Sequence, residues 1–144
     1  MRLYLDTSAL VKLHVQEEGS TLVRRAVEQA ALIATSALTY VEARAAFVRL
    51  RHEGGISAVN YQRVIRDLEA DWSRYLVMQV TDRLLRQGAR LTEAHRLRAS
   101  DAVHLASAVA MKERMAEPVT FGCWDRGLER AARGQGLELL RHRR

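Results

Sequence analysis

The chain has little of what shapes secreted, fibrous or membrane proteins. It carries a single cysteine, Cys123, in 144 residues. No internal disulfide can form, no cysteine-built zinc site is available, and a reducing compartment fits. One proline and eight glycines exclude collagen-like and linker-rich architectures. No apolar run approaches the roughly 18 residues that cross a bilayer. Asp6 breaks the apolar opening stretch and no small-residue cleavage site follows it, so no signal peptide is read there and a cytoplasmic location is expected. Lysine is scarce as well. Lys12 and Lys112 are the only two, and 21 of the 23 basic residues are arginine.

Against these absences stands an apolar content of 48%. That is enough for a substantial core, and the length suits one domain over residues 1–144. The net charge is +6. Arginine presents a planar fork that matches phosphate, although GC-rich coding also raises its share. A basic balance admits a polyanionic partner without naming one. The terminal run Arg141-His142-Arg143-Arg144 reads either as a frayed end or as a contact arm.

Short apolar runs alternate with helical patterns. Strands are expected at Arg2–Leu5, Leu32–Thr35, Leu76–Val80, Pro118–Phe121 and Leu137–Leu140. Helices are expected from a Ser8 cap to about Val15, from Ser20 to Ala30, from Ala37 to Glu53, from Ser57 to Tyr75, from Asp82 to Leu91, from Ser100 to Arg114 and from Trp124 to Arg133. Neither repeats nor linkers interrupt the pattern. It predicts an α/β fold, three layers α/β/α around a short, mainly parallel sheet.

The informative residues are carboxylates standing where apolar or small residues belong. Asp6 ends the first strand, and Asp125 follows the fourth. Asp101 opens an otherwise apolar helix. Glu42 shares a helix with Leu38, Val41, Ala45, Ala46 and Val48, which predicts that it faces an apolar stripe. Each has an ordinary structural use: a turn, a helix cap, a buried ion pair. Ligands of open parallel sheets bind where strand C-termini meet helix N-termini, and all four acids can reach that edge. Like charges at about 4 Å repel by on the order of 4 kcal/mol at an effective dielectric near 20. Such a cluster must take up protons or a cation, and oxygen ligands select hard ions such as Mg²⁺ or Mn²⁺.

Four segments in order carry a family resemblance: Leu5-Asp6-Thr7-Ser8-Ala9-Leu10-Val11-Lys12, Thr35-Ser36-Ala37-Leu38-Thr39-Tyr40-Val41-Glu42, Leu97-Arg98-Ala99-Ser100-Asp101-Ala102-Val103-His104-Leu105-Ala106, and Phe121-Gly122-Cys123-Trp124-Asp125-Arg126-Gly127-Leu128. The chain resembles the PIN-domain ribonucleases, and among them the VapC toxins of toxin–antitoxin pairs. The resemblance implies a metal-dependent endoribonuclease with Asp6, Glu42, Asp101 and Asp125 as catalytic, metal-binding acids and Ser8 as a supporting hydroxyl. Cys123 departs from the pattern, which often has Thr or Ser there. One or two Mg²⁺ or Mn²⁺ ions would lower the pKa of a water and neutralise the scissile phosphate, leaving a 5′-phosphate and a 3′-hydroxyl. Implied partners are an RNA substrate, a VapB-type antitoxin and a second copy in a homodimer, with contact expected on the helices over residues 37–53 and 57–75, where Tyr61 and Trp72 are candidates.

Without the four acids the formal charge rises from +6 to +10, so a basic rim around an acidic pit is expected. Arg44, Arg49, Arg51, Arg96 and Arg98 are its candidates for phosphate contact. His104 is expected as a buried, hydrogen-bonded residue, and Trp72 and Trp124 as core or interface. A haloacid-dehalogenase-like phosphatase would want a second Asp where Ser8 stands. A non-catalytic PIN-like module binding RNA or protein would do so indifferently to metal and to the four acids.

Overall fold

The computed structural model describes residues 1–142, His142 by its backbone alone; Arg143 and Arg144 of the basic tail lie outside the described residues. The elements run β1 (Arg2–Leu5), α1 (Thr7–His14), α2 (Ser20–Gln29), β2 (Leu32–Ser36), α3 (Leu38–His52), α4 (Ala58–Trp72), β3 (Leu76–Met78), α5 (Asp82–His95), α6 (Ala99–Arg114), β4 (Val119–Gly122), α7 (Arg126–Gly134) and β5 (Glu138–Leu139), closed by one 3₁₀ turn over Leu140–His142. The sheet order is β3-β2-β1-β4-β5, and each neighbouring pair is parallel.

Alternation along β1 divides the interior in two. Leu3 and Leu5 point to one face and pack with Leu10, Val23, Ala43, Phe47, Val64 and Leu68, so α1 to α4 cover that side. Tyr4 points to the other face, against Leu91, Leu105, Phe121 and Leu128, so α5 to α7 cover it. This is the expected three-layer architecture. It also explains the site: the chain steps outward from β1 through β2 to β3, then returns to β4 on the other flank of β1. The direction of winding reverses between β1 and β4, which opens a crevice past their C-terminal ends.

Several boundaries differ from the expectation, each for a local reason. β3 stops at Met78 because only Leu76 to Met78 pair with β2. α5 continues to His95, one turn beyond Leu91, and ends on Arg96 in a left-handed conformation. α1 is capped by Asp6 rather than by Ser8. On α3 the buried stripe is Thr39, Ala43 and Phe47, while Val41 and Val48 are 60% and 52% exposed. The stripe expected through Val41 and Val48 is therefore the outward face. Small and apolar residues occur all round this helix, so sequence spacing gives it no unique orientation.

The α1–α2 connection turns at Gly19, whose φ is +90°. The Trp124 ring lies over it, so that a β-carbon there would sit 2.4 Å from the ring. Both the left-handed backbone and the ring exclude a side chain. Gly19→Ala is expected to destabilise the protein by on the order of 1–3 kcal/mol in urea titrations and to alter the Trp124 fluorescence environment.

Candidate active site

Asp6 leaves β1 at the crevice. Its backbone N–H donates to the Gly122 carbonyl at 3.0 Å, which continues the β1–β4 pairing by one residue. Its side-chain Oδ1 accepts from the Ala9 N–H at 2.9 Å and from the Ser8 hydroxyl at 2.7 Å. Oδ2 accepts no hydrogen bond among the described residues. Asp6 is only 5% exposed. Burial raises its pKa above the ordinary range; His104 and the bonds from Ser8 and Ala9 pull downward, and Asp101 pushes upward again. A cap contributes about 1 kcal/mol, whereas burying an ionised carboxylate costs several kcal/mol. Capping alone, which Ser or Asn would provide, therefore does not account for an acid here. Because the folded-state pKa is raised, the carboxyl favours the fold below about pH 4 and works against it as the pH rises through that raised value.

Glu42 reaches the same edge from α3. The Thr7 hydroxyl donates to its Oε1 at 2.6 Å, and His104 Nε2 lies 2.8 Å from the same oxygen. On its far side His104 Nδ1 lies 2.9 Å from the Tyr4 hydroxyl. Burial pushes the tyrosine pKa well up, so its hydroxyl keeps its proton. An ionised carboxylate can only accept. With a neutral imidazole, Tyr4 O–H donates to Nδ1 and Nε2–H donates to Glu42; with a protonated ring, both nitrogens donate, to Tyr4 and to Glu42. Burial raises the Glu42 pKa, but the bonds from His104 and Thr7 outweigh it and the net shift is downward. Asp6 and Glu42 are thus pushed in opposite directions by their surroundings.

Asp101 lies in the first turn of α6, one turn before His104, with its carboxylate largely covered. Asp125 caps α7 through Oδ1, which accepts from the Leu128 N–H at 2.8 Å, and is 49% exposed. Arg98 joins the two: its guanidinium lies 3.3 Å from Asp101 Oδ2 and 3.8 Å from Asp125 Oδ2. The Ser8 hydroxyl also accepts from the Trp124 N–H at 3.3 Å, which ties the loop before Asp125 to the Asp6 turn. All four acids therefore stand along one edge, linked through Ser8, Thr7, His104 and Arg98. They do not close on a point. Among the described residues, no three His, Cys, Asp or Glu side chains converge as a metal shell.

The remaining candidates separate. Arg44 turns toward α4, pairing with Glu69 at 3.4 Å and lying over the Tyr40 ring. Arg49 and Arg51 occupy the last turn of α3, roughly 10–13 Å along the axis beyond Glu42, so the fold does not bring them to the acids. Arg96 is exposed at the end of α5. Cys123 is buried in the core beside Tyr4 and Phe121, its thiol pKa raised by burial. Trp72 and Trp124 are partly buried against the α1–α4 core, and so is Tyr61. Thr7 and Tyr4 join the site through Glu42 and His104, and sequence spacing does not single them out. The Asp-Thr-Ser run at the strand end was the available signal for Thr7, whereas Tyr4 shows only as an apolar strand position.

The donor chemistry fits a hard cation: carboxylate oxygens, one of them buried with a free oxygen, and a guanidinium already drawn between two others. The parallel sheet with a switch-point crevice edged by acids places the chain among α/β proteins whose candidate ligand site lies past the strand C-termini. Residues 3–133 match the PIN domain family, and the chain belongs to it. Ribonuclease VapC45 of Mycobacterium tuberculosis (strain CDC 1551 / Oshkosh) and Ribonuclease VapC49 of Mycobacterium tuberculosis (strain ATCC 25618 / H37Rv) are each 32% identical over 136 residues, spanning 94% of this chain and 92% of the relative. The fold is shared with FitAcB from Neisseria gonorrhoeae (TM-score 0.64, 18% identity, 95% of each chain) and VapBC-1 from nontypeable Haemophilus influenzae (TM-score 0.65, 15% identity, 96% of each chain). It is shared also with a toxin–antitoxin complex from Klebsiella pneumoniae (TM-score 0.55, 21% identity, 83% and 84% of the chains).

The His104 bridge carries a structural consequence. His104→Ala removes the acceptor of a buried hydroxyl and one partner of Glu42 together. It is expected to cost about 1–3 kcal/mol in urea titrations, and Tyr4→Phe combined with it is expected to recover part of that loss.

Proposed function

We propose that this protein is a metal-dependent endoribonuclease toxin of the VapC kind, acting in the cytoplasm as a single nuclease domain over residues 1–144 and held inactive by a VapB-type antitoxin. The observation that carries the reading is the buried Asp6 carboxylate at the β1–β4 crevice, with Asp101 close enough to raise its pKa. The two ribonucleases that share nearly the full length of the chain point the same way.

Asp6, Glu42, Asp101 and Asp125 are the catalytic, metal-binding acids of this proposal. A divalent cation, Mg²⁺ or Mn²⁺, held by these carboxylates would supply charge neutralisation at the scissile phosphate and acidify a water. The chain's own residues do the rest. Ser8 and the Ala9 N–H fix the orientation of Asp6. Thr7 and His104 hold Glu42 ionised, ready to accept a proton or a cation. Arg98 neutralises Asp101 and Asp125 and, being well exposed, can swing toward a phosphate. Its placement among the acids is also where an antitoxin's cation would compete.

The antitoxin and a second copy need apolar surface outside the crevice. Val41, Val48 and Val59 supply exposed apolar side chains on α3 and α4, the two helices from which partner contact is expected. The alternative module that binds without cutting predicts RNA binding indifferent to the acids.

Antitoxin-free protein is expected to cleave single-stranded RNA with Mg²⁺ or Mn²⁺ and to stop in EDTA. Asp6→Asn and Asp101→Asn are each expected to lower kcat/KM by about 100-fold or more, with circular dichroism unchanged. Asn variants that cut like the parent would contradict the proposal.

A further inference from the structure

Helix α7 begins at the Asp125 cap and carries arginines at 126, 130 and 133, spaced four and three residues apart and so on one face. Together with Glu129, Leu139 and Arg141 they line a surface concavity of about 460 Å³. Glu129 does not neutralise this row. It is buried and paired in bidentate fashion with Arg141, whose guanidinium also lies over the Trp124 ring, 5.5 Å from its centre. Arg126, Arg130 and Arg133 are exposed, and no carboxylate among the described residues pairs with them. Six arginines elsewhere, Arg2, Arg44, Arg63, Arg74, Arg86 and Arg98, each have an acidic partner; what sets the α7 arginines apart is that three share one helix face along one concavity next to the acidic edge. A row of like charges along one helix face is self-repelling.

We propose that this α7 face is the track for the RNA backbone flanking the scissile phosphate. The inference rests on the ribonuclease reading and adds the path of the substrate to it. Arg126 adjoins Asp125 at the acidic edge, and Arg133 lies about 10 Å further along the helix axis, roughly the rise of three stacked nucleotides. A concavity walled by guanidinium groups takes phosphate through paired N–H donors. Its linear run away from the acidic edge at Asp125 suits a chain of phosphates better than one small anion. The ligand chemistry is phosphodiester backbone, and the row confers affinity and register without base preference.

The test reads binding without cleavage. The full chain in EDTA is titrated against a fluorescent 12-nucleotide single-stranded RNA over a range of salt. The triple variant Arg126→Gln, Arg130→Gln, Arg133→Gln is compared with a charge-matched control, Arg25→Gln, Arg66→Gln, Arg90→Gln, whose exposed arginines lie on other helices. The slope of log K against log salt is expected to become shallower by about 2 in the α7 variant, at roughly 0.7 per lost phosphate contact, and to change much less in the control. Circular dichroism is expected to be the same for all three. Equal slopes in the two variants, an unchanged slope in the α7 variant, or no RNA binding by the parent overturns the track. Inorganic phosphate or a nucleoside monophosphate binding as tightly as the 12-mer overturns it too, since the cavity would then be a small-anion site. A parent that cuts no RNA yet shows the slope difference supports the track and contradicts the ribonuclease reading alone.

Discussion

The carboxylate of Asp6 is withdrawn from water at the end of the central strand, and the arrangement of the crevice answers to that cost. Two donors, from Ser8 and the Ala9 amide, reach one of its oxygens, and among the described residues none reaches the other. Its pKa is raised even so. A neutral Asn would cap α1 about as well and would avoid the penalty of burying a charge. The fold therefore holds a stability deficit at the site where the sheet reverses its winding, and the divalent cation of the proposed function, held among the neighbouring acids, would remove it.

The surrounding residues share one logic: each acid is supplied with a partner that fixes it without filling its second face. Thr7 and His104 hold Glu42, and His104 is held in turn by the hydroxyl of a buried tyrosine on the central strand. Arg98 spans Asp101 and Asp125. Charge is thereby graded along the edge, from the buried Asp6 to the half-exposed Asp125. The positive charge that a nucleic acid would meet stands beyond that exposed end, on α7. A polyanion would cross the acids only where their charge is neutralised, and would be held by arginine on leaving them.

Much of this could be read from the residues. The alternation of short apolar runs and helices gave the layers, since a strand of the type Leu3-Tyr4-Leu5 must bury both faces. Asp6, Asp101 and Asp125 were visible because an acid at a strand end or in an apolar helix has few structural uses. The orientation of α3 was not legible: Thr39, Ala43 and Phe47 bury while Val41 and Val48 do not, and a helix apolar or small on several sides yields no single stripe. Nor was the role of His104. Its ring is buried as expected, but its two partners, Tyr4 on β1 and Glu42 on α3, are 100 and 62 residues away in the chain and meet it only through tertiary packing. Cys123 belongs to the core, and nothing in its contacts gives it a part in the chemistry.

The most direct measurement is the melting temperature of the parent and of Asp6→Asn at neutral pH, each in EDTA and with saturating Mn²⁺. The variant is expected to melt higher than the parent in EDTA, because it removes a buried charge and keeps the cap. Mn²⁺ is expected to raise the melting temperature of the parent, corresponding to about 2.7 kcal/mol of stabilisation at one hundred times the dissociation constant, and to leave the variant nearly unmoved. A parent indifferent to Mn²⁺ and no less stable in EDTA than Asp6→Asn would contradict a cation-dependent Asp6.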